Sequence, residues 1–323
     1  MNHRHDQASE TLIYATYYAP RGRRRLFRLG SDLSQRYLKP DDLLIGVLGA
    51  EGAGKSTLIM GLFPGLQLTN DDDGVNVTPA PLYDFSPDDH FSAHTFHIDV
   101  RFERAFKQTH EIVEAINRAI THRRRVIVEH FDLIYDALGY NAQVLFGVGE
   151  EVIVARPSVF GPHPPTIKAI VDKTIKFRLM AHTAEDITSL ILYRDYGYRR
   201  PMLHSDVKHG FVIKFPEKPA IDIAELEAKV KAVIDADDPV QGAGEDRLAI
   251  GAETMYCTGT RTHVKSTGHI ERFRLVKNYQ YDPIEDEYLL VGMVGDREVA
   301  GFEDMAGDLD GGDITAPFGP SED

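Results

Sequence analysis

The chain has 323 residues, too many for one small core and enough for two modest domains. Its apolar and charged fractions are those of a globular protein, and no apolar run approaches the ~20 residues that span a bilayer, so a membrane protein is not expected. The net charge of -14 argues at first against an extended polyanion such as tRNA, and no DNA partner is expected, although seven of the excess negative charges fall between Glu303 and Asp323, where no Lys or Arg occurs.

Within residues 1–40, the runs TLIYATYYA and RLFRL flank Pro20-Arg21-Gly22 and predict a hairpin extension. A second domain is expected over 41–165. There LLIGVLG from Leu43 is a short apolar strand ending on glycine, and Lys55 to Phe63 has helical composition. AHTFHIDV around 93–100 predicts a strand, and RAFKQTHEIVEAINRAI a helix with Phe106, Ile112, Val113, Ile116 and Ile120 at helical spacing. RVIVEHF at 125–131 predicts another buried strand, and strands alternating with helices imply a parallel sheet flanked by helices.

The prolines of EEVIVARPSVFGPHPP place a boundary near Thr166. Beyond it, a third segment over 166–300 should hold a helix to about Tyr196, the strand GFVIKF and an amphipathic helix from Ile223 to Ile234. Asp222 and Glu225 form a capping-box-like start to that last helix, and several strands follow between Arg247 and Val294. The acidic, Gly- and Pro-containing stretch 301–323 reads as a disordered tail. Arg21, Arg23 to Arg25 and Arg28, then Arg123 to Arg125, then Arg199 and Arg200, read first as solvated surface and second as a basic face. No secretory signal is recognisable at the start and Cys257 is the single cysteine, so a reducing cytoplasm is the expected compartment.

The chemistry-bearing motif of the first half is Gly49-Ala50-Glu51-Gly52-Ala53-Gly54-Lys55-Ser56, a Walker A loop between an apolar strand and a helix. Its glycines let backbone N–H groups converge on phosphate oxygens at a helix N-terminus, where the dipole also favours anions. Gly49, Gly52, Gly54, Lys55, Ser56 and Thr57 are the expected nucleotide contacts, with Lys55 on the β- and γ-phosphates and Ser56 on Mg²⁺. ATP is preferred over GTP because no guanine-reading NKxD occurs. Glu129 and then Asp132 are the candidates for the second magnesium-side acid. Asp71 to Asp73, with Asp73 foremost, and Asp99, followed by Arg101 and Arg104, are candidates to orient an acceptor; a solvated acidic turn accounts equally well for the aspartate run.

In the second half, His182 and Asp186 lie four apart on a predicted helix, so both face one side, and Cys257 and His263 complete a four-residue set suited to Zn²⁺. HTAED at 182–186 and CTGTRTHVKSTGHI at 257–270 flank a strand, a helix and a Pro-Val exit. This stretch, about Arg178 to Val294, resembles the second additional domain of alanyl- and threonyl-tRNA synthetases, an α+β editing module also found in free-standing deacylases. The resemblance implies zinc on His182, Cys257 and His263, a pocket shaped by Thr267-Gly268, and hydrolysis of a mischarged aminoacyl ester. Two departures stand out: Asp186 replaces the family's second histidine, and two extra residues precede His263, leaving Arg261 where a strict count wants histidine. With residues 1–170 taken by the nucleotide domain, no aminoacylation core is expected.

Three functions are consistent with these features. One is an ATP-dependent enzyme acting on an amino acid, aminoacyl ester or tRNA end; another is a small-molecule kinase whose second domain selects the acceptor; the third is a non-catalytic sensor of ATP and an amino acid.

Overall fold

The computed structural model describes residues 14–69, 80–84, 94–198, 204–244, 246–257 and 259–296. Asp71 to Asp73, Arg199, Arg200 and the acidic tail lie outside the described residues. The chain is an α/β protein with a mixed sheet and several helices. It divides into two compact units. One comprises the chain to Ala19 with Leu26–Lys173, and the other Pro20–Arg25 with the chain from Thr174 onward. The division falls inside a helix, eight residues past the expected boundary at Thr166.

The first unit is built on a six-stranded sheet. Its strands are β1 (Tyr14–Tyr18), β2 (Leu44–Gly49), β3 (Thr95–Asp99), β4 (Arg125–Glu129), β5 (Val144–Val148) and β6 (Glu151–Ala155), in the spatial order β1-β6-β5-β2-β4-β3. The four strands β5, β2, β4 and β3 are parallel, as the alternation of strands and helices requires, and β2 is buried along its whole length between β5 and β4. The helices are α1 (Arg23–Tyr37), α2 (Lys55–Leu62), α3 (Val100–Glu103), α4 (Thr109–Thr121) and α5 (Tyr135–Leu138), with α6 (Pro164–Tyr196) entering from this unit. The α4 start is closed by Glu111, whose carboxylate accepts the Gln108 N–H at 2.8 Å.

Three expectations are corrected. The N-terminal hairpin does not form: RLFRL lies in α1, with Leu26 and Leu33 buried on one face, and β1 pairs antiparallel with β6, well over a hundred residues away. The sheet is mixed rather than wholly parallel, because β6 returns directly from β5 through a tight connection and turns antiparallel. Phe106 precedes α4 and is exposed instead of joining its apolar face.

The second unit holds the rest of α6, α7 (Ile223–Asp235), and the strands β7 (His204–Val207), β8 (Gly210–Phe215), β9 (Val240–Gly242), β10 (Arg247–Ile250), β11 (Glu253–Tyr256), β12 (Arg274–Leu275), β13 (Gln280–Asp282) and β14 (Glu287–Met293). One antiparallel sheet runs β12-β14-β8-β7 with β13 also on β14, and a smaller one runs β11-β10-β9. Its core joins Ala184, Ile187 and Ile191 of α6 to Phe211 and Ile213 of β8 and to Leu226 and Val230 of α7. Asp222 caps α7 by accepting the Ala224 N–H, but Glu225 pairs with Lys229 and does not close the expected box. No helix among the described residues is long and apolar enough to cross a membrane.

Helix α2 is held by backbone contact. A Cβ at Gly61 would lie 2.2 Å from the Phe27 carbonyl oxygen, and one at Gly30 would lie 2.6 Å from the Leu58 carbonyl oxygen, so α1 and α2 approach as only glycines allow. Gly61→Ala should therefore destabilise the first unit by about 1–3 kcal/mol in urea unfolding. A change within about 0.5 kcal/mol, the range of ordinary surface substitutions, would contradict this packing.

Candidate functional site

Among the described residues, two clusters of metal-ligating side chains form, one in each unit. In the first unit, β2 runs into a loop whose Gly49, Gly52 and Gly54 all have positive φ, and α2 begins at Lys55 with no side-chain cap on its first turn. Uncapped N–H groups at a helix start, beside left-handed glycines, make an anion cradle. Glu51, Gly52, Gly54, Lys55 and Ser56 line a cavity of about 320 Å³ together with Asp99, Arg101, Phe102, Ala105, Phe106, Glu129 and His130. Thr57, Gly49, Asp132 and Arg104 are not among the lining residues.

Lys55 is 5% exposed. Its ammonium donates to the Ala50 carbonyl at 2.8 Å and lies 3.5 Å from Glu129 Oε1. Parallel pairing in register sets Asp99, at the end of β3, opposite Glu129, at the end of β4, so two carboxylates meet at one edge of the sheet. Such strand ends are where open α/β sheets bind ligands.

His97 stands behind Glu129. The Thr69 backbone N–H donates to its Nδ1 at 3.2 Å, so the ring proton of the neutral form sits on Nε2, which faces Glu129 Oε2 at 3.5 Å. That spacing is too long for a hydrogen bond, and both atoms are buried without a hydrogen-bond partner. Burial alone would push the Glu129 carboxyl up; His97, Lys55 and His130 outweigh it and hold the group below the usual carboxylate range. His130 adopts the left-handed conformation (φ 57, ψ 46), and burial, then the Lys55 charge, push its imidazole down and keep it neutral. Glu103, also buried, has its carboxyl raised by desolvation.

The second cluster sits in the middle of α6, where every residue from Met180 to Ser189 is buried although six are polar. Buried polar groups need partners, and most of these partners come from far along the chain. Arg21 Nε donates to Glu185 at 2.8 Å and Arg21 Nη1 to the Gly210 carbonyl at 3.0 Å, so this arginine is buried structure and not solvated surface. Thr183 Oγ1 accepts the Val264 N–H at 3.1 Å, which registers the segment carrying His263 against the helix.

His182, Asp186, Cys257 and His263 converge, with one donor atom of each lying within 4.8 Å of the others. Cys257 Sγ is 3.6 Å from His182 Nε2 and 3.8 Å from His263 Nε2; Asp186 Oδ2 is 3.1 Å from His263 Nε2 and 3.9 Å from His182 Nε2. Tetrahedral zinc with ordinary bond lengths sets ligand pairs about 3.3 Å apart for N and O, and about 3.5 Å for S and N. The four donors therefore fit such an ion with small adjustments.

The supporting contacts fit as well. His182 Nδ1 donates to the Thr262 carbonyl at 3.0 Å, and His263 Nδ1 to the Thr260 carbonyl at 3.3 Å, leaving both Nε2 lone pairs toward the centre. The Gly259 N–H donates to Cys257 Sγ at 3.4 Å. The two additional residues before His263 are taken up in a turn, closed by Thr262 N–H to Gly259 carbonyl at 2.9 Å, that carries the His182 acceptor; Arg261 is left exposed on it. Gly259 is needed there, since a Cβ would meet the His182 ring at 2.9 Å.

Thr267 and Gly268 do not border this cluster. Thr267 Oγ1 donates to the Val233 carbonyl and accepts the Asp238 N–H, and Gly268 N–H donates to Asp237, so the pair pins the end of α7. Sequence reasoning passed over His97, His130 and Glu185, and read Arg21 as surface. Only the histidine between Phe96 and Ile98, in an otherwise apolar strand, offered a signal. No protein-family model and no curated protein matches the chain.

Burial, then the neighbouring His263, push His182 down to about 3. The unfolded imidazole titrates near ~6.5, so between that value and about 3 the unfolded chain binds the extra proton. Stability of the metal-free protein should be unaffected by this group above pH 6.5, and should fall on acidification by up to about 1.4 kcal/mol per pH unit. Denaturant unfolding between pH 7 and 4 checks this against His182→Asn, whose pH slope should be shallower; equal slopes would contradict a buried neutral His182.

Proposed function

We propose that the chain is an ATP-binding P-loop protein whose first unit carries out phosphoryl transfer to water or a small acceptor. Its second unit is an editing-like module, akin to that of alanyl-tRNA synthetase, that recognises an amino acid, an aminoacyl ester or a tRNA end. The observation that carries the first part is the buried Lys55 at the start of an uncapped helix, between a left-handed glycine loop and the Glu129 carboxylate. An ammonium in that place exchanges the Ala50 carbonyl for β- and γ-phosphate oxygens at little structural cost.

Within this reading the loop N–H groups and Lys55 bind and orient the triphosphate, and Ser56 with an acidic neighbour, Glu129 or Asp99, would hold Mg²⁺. Bound Mg²⁺ would neutralise charge on the β- and γ-phosphates. Glu129, kept ionised by Lys55 and His97, is the group placed to take the proton of the attacking hydroxyl or water. The kinase reading is favoured by the lining of the cavity, where Asp99 and Arg101, groups able to orient an acceptor hydroxyl, stand with the phosphate-loop residues.

For the second unit, the donor set supports zinc but not a hydrolytic centre. Four buried protein donors fill a tetrahedron, whereas catalytic zinc keeps a vertex for water. The metal's part here is to fasten α6 to the 257–263 segment, with recognition as the module's role.

Turnover of ATP should rise with one member of a panel of free amino acids, aminoacyl-tRNA and uncharged tRNA. Lys55→Ala should lose at least about 100-fold of it, as removal of a charged transition-state contact does. Full turnover by Lys55→Ala would remove the reading. The purified protein should also carry about one zinc per chain, and Cys257→Ala and His182→Ala should each carry less. Metal-free wild-type protein prepared without chelators would sink the zinc assignment.

A further inference from the structure

The phosphate loop leaves one buried group of the cavity without a task. His130 is 8% exposed, lines the cavity, and makes no ring hydrogen bond among the described residues. It directly follows Glu129 at the end of β4, and the left-handed step at His130 turns the chain there, a conformation a β-substituted residue adopts only when its surroundings impose it. One donor atom each from Asp99, Glu129 and His130 lies within 4.8 Å of the others, and all three residues are buried. Cis ligands of an ion bound at about 2.1–2.2 Å are about 3 Å apart and trans ligands about 4.3 Å, so rotamer adjustments of the order of 1 Å close this set onto one ion.

We propose that Asp99, Glu129 and His130 form a divalent-cation site of their own, whose donors select a first-row transition ion such as Mn²⁺ over Mg²⁺. Two carboxylates against the single Lys55 ammonium leave the group with excess negative charge, and a neutral imidazole adds a donor that first-row ions bind and Mg²⁺ does not favour. The His130 ring, buried at the cavity wall with no hydrogen bond of its own among the described residues, is the donor such an ion would occupy. An ion there also replaces Lys55 as the counter-charge of Glu129, freeing the ammonium for phosphate. The site rests on the same cavity as the proposed nucleotide site and shares Asp99 and Glu129 with it, but does not depend on nucleotide.

The test is Mn²⁺ added to the full chain without nucleotide, read by pulsed electron paramagnetic resonance for nitrogen coupled to the ion. The wild type should show histidine nitrogen on Mn²⁺, and a tenfold excess of Mg²⁺ should not displace the ion. His130→Asn should lose the nitrogen signal; asparagine tolerates the left-handed conformation, so the backbone is kept. Asp99→Asn, which retains an acceptor for the Phe102 N–H, should bind Mn²⁺ at least tenfold more weakly. His182→Asn, in the other unit, should leave the signal intact. Absence of nitrogen coupling in the wild type, its survival in His130→Asn, or its loss in His182→Asn would each overturn the proposal. Lys55→Ala separates it from the nucleotide reading, since that variant should keep Mn²⁺ while losing ATP.

Discussion

A buried ammonium at the first turn of a helix needs a counter-charge, and the arrangement of the first unit answers that need. Lys55 cannot sit uncompensated beside the positive end of α2, so the loop bends the Ala50 carbonyl toward it and β4 ends on Glu129 at 3.5 Å. The pairing of β4 with β2 fixes the height of Glu129, and the pairing of β3 with β4 fixes Asp99 and His97 around it. The same placement that satisfies Lys55 without ligand leaves anion donors and carboxylates facing one cavity.

The second unit obeys the same constraint in a different way. A helix buried all round normally carries apolar residues, yet α6 buries a histidine, two acids and several hydroxyls in ten positions. Thr188 bonds within the helix to the Ala184 carbonyl, and others take partners brought from elsewhere: Arg21 for Glu185, the Thr262 carbonyl for His182, Val264 for Thr183. Asp186 and His263 face each other at 3.1 Å, with the Cys257 sulfur 3.8 Å from the same His263 nitrogen, so the polar groups of α6 and of the 257–263 segment converge on one point.

What the sequence revealed follows from whether a signal was local. Strand β2, its glycine-ended loop and α2 were legible because apolar run, glycines and helix lie within twenty residues. The set His182, Asp186, Cys257 and His263 was legible from helical spacing and from a motif resemblance. Helix α1 was misread because Arg23 to Arg25 and Gly30 mask an apolar stripe at Leu26 and Leu33, and because Pro20-Arg21-Gly22 looks like a turn between strands. Strand β1 finds its partner in β6, and Arg21 finds Glu185, across separations that no periodicity encodes. His97 acquires meaning only once strand register puts it beside Glu129, and His130 only once the turn after β4 sets it on the cavity wall.

Calorimetric titration of the wild-type chain with ATP and with AMP, each with Mg²⁺, tests the central claim most directly. A loop built for β- and γ-phosphates predicts one ATP per chain, bound about 100-fold or more tighter than AMP. Equal affinity for the two nucleotides, or no ATP binding, would contradict it.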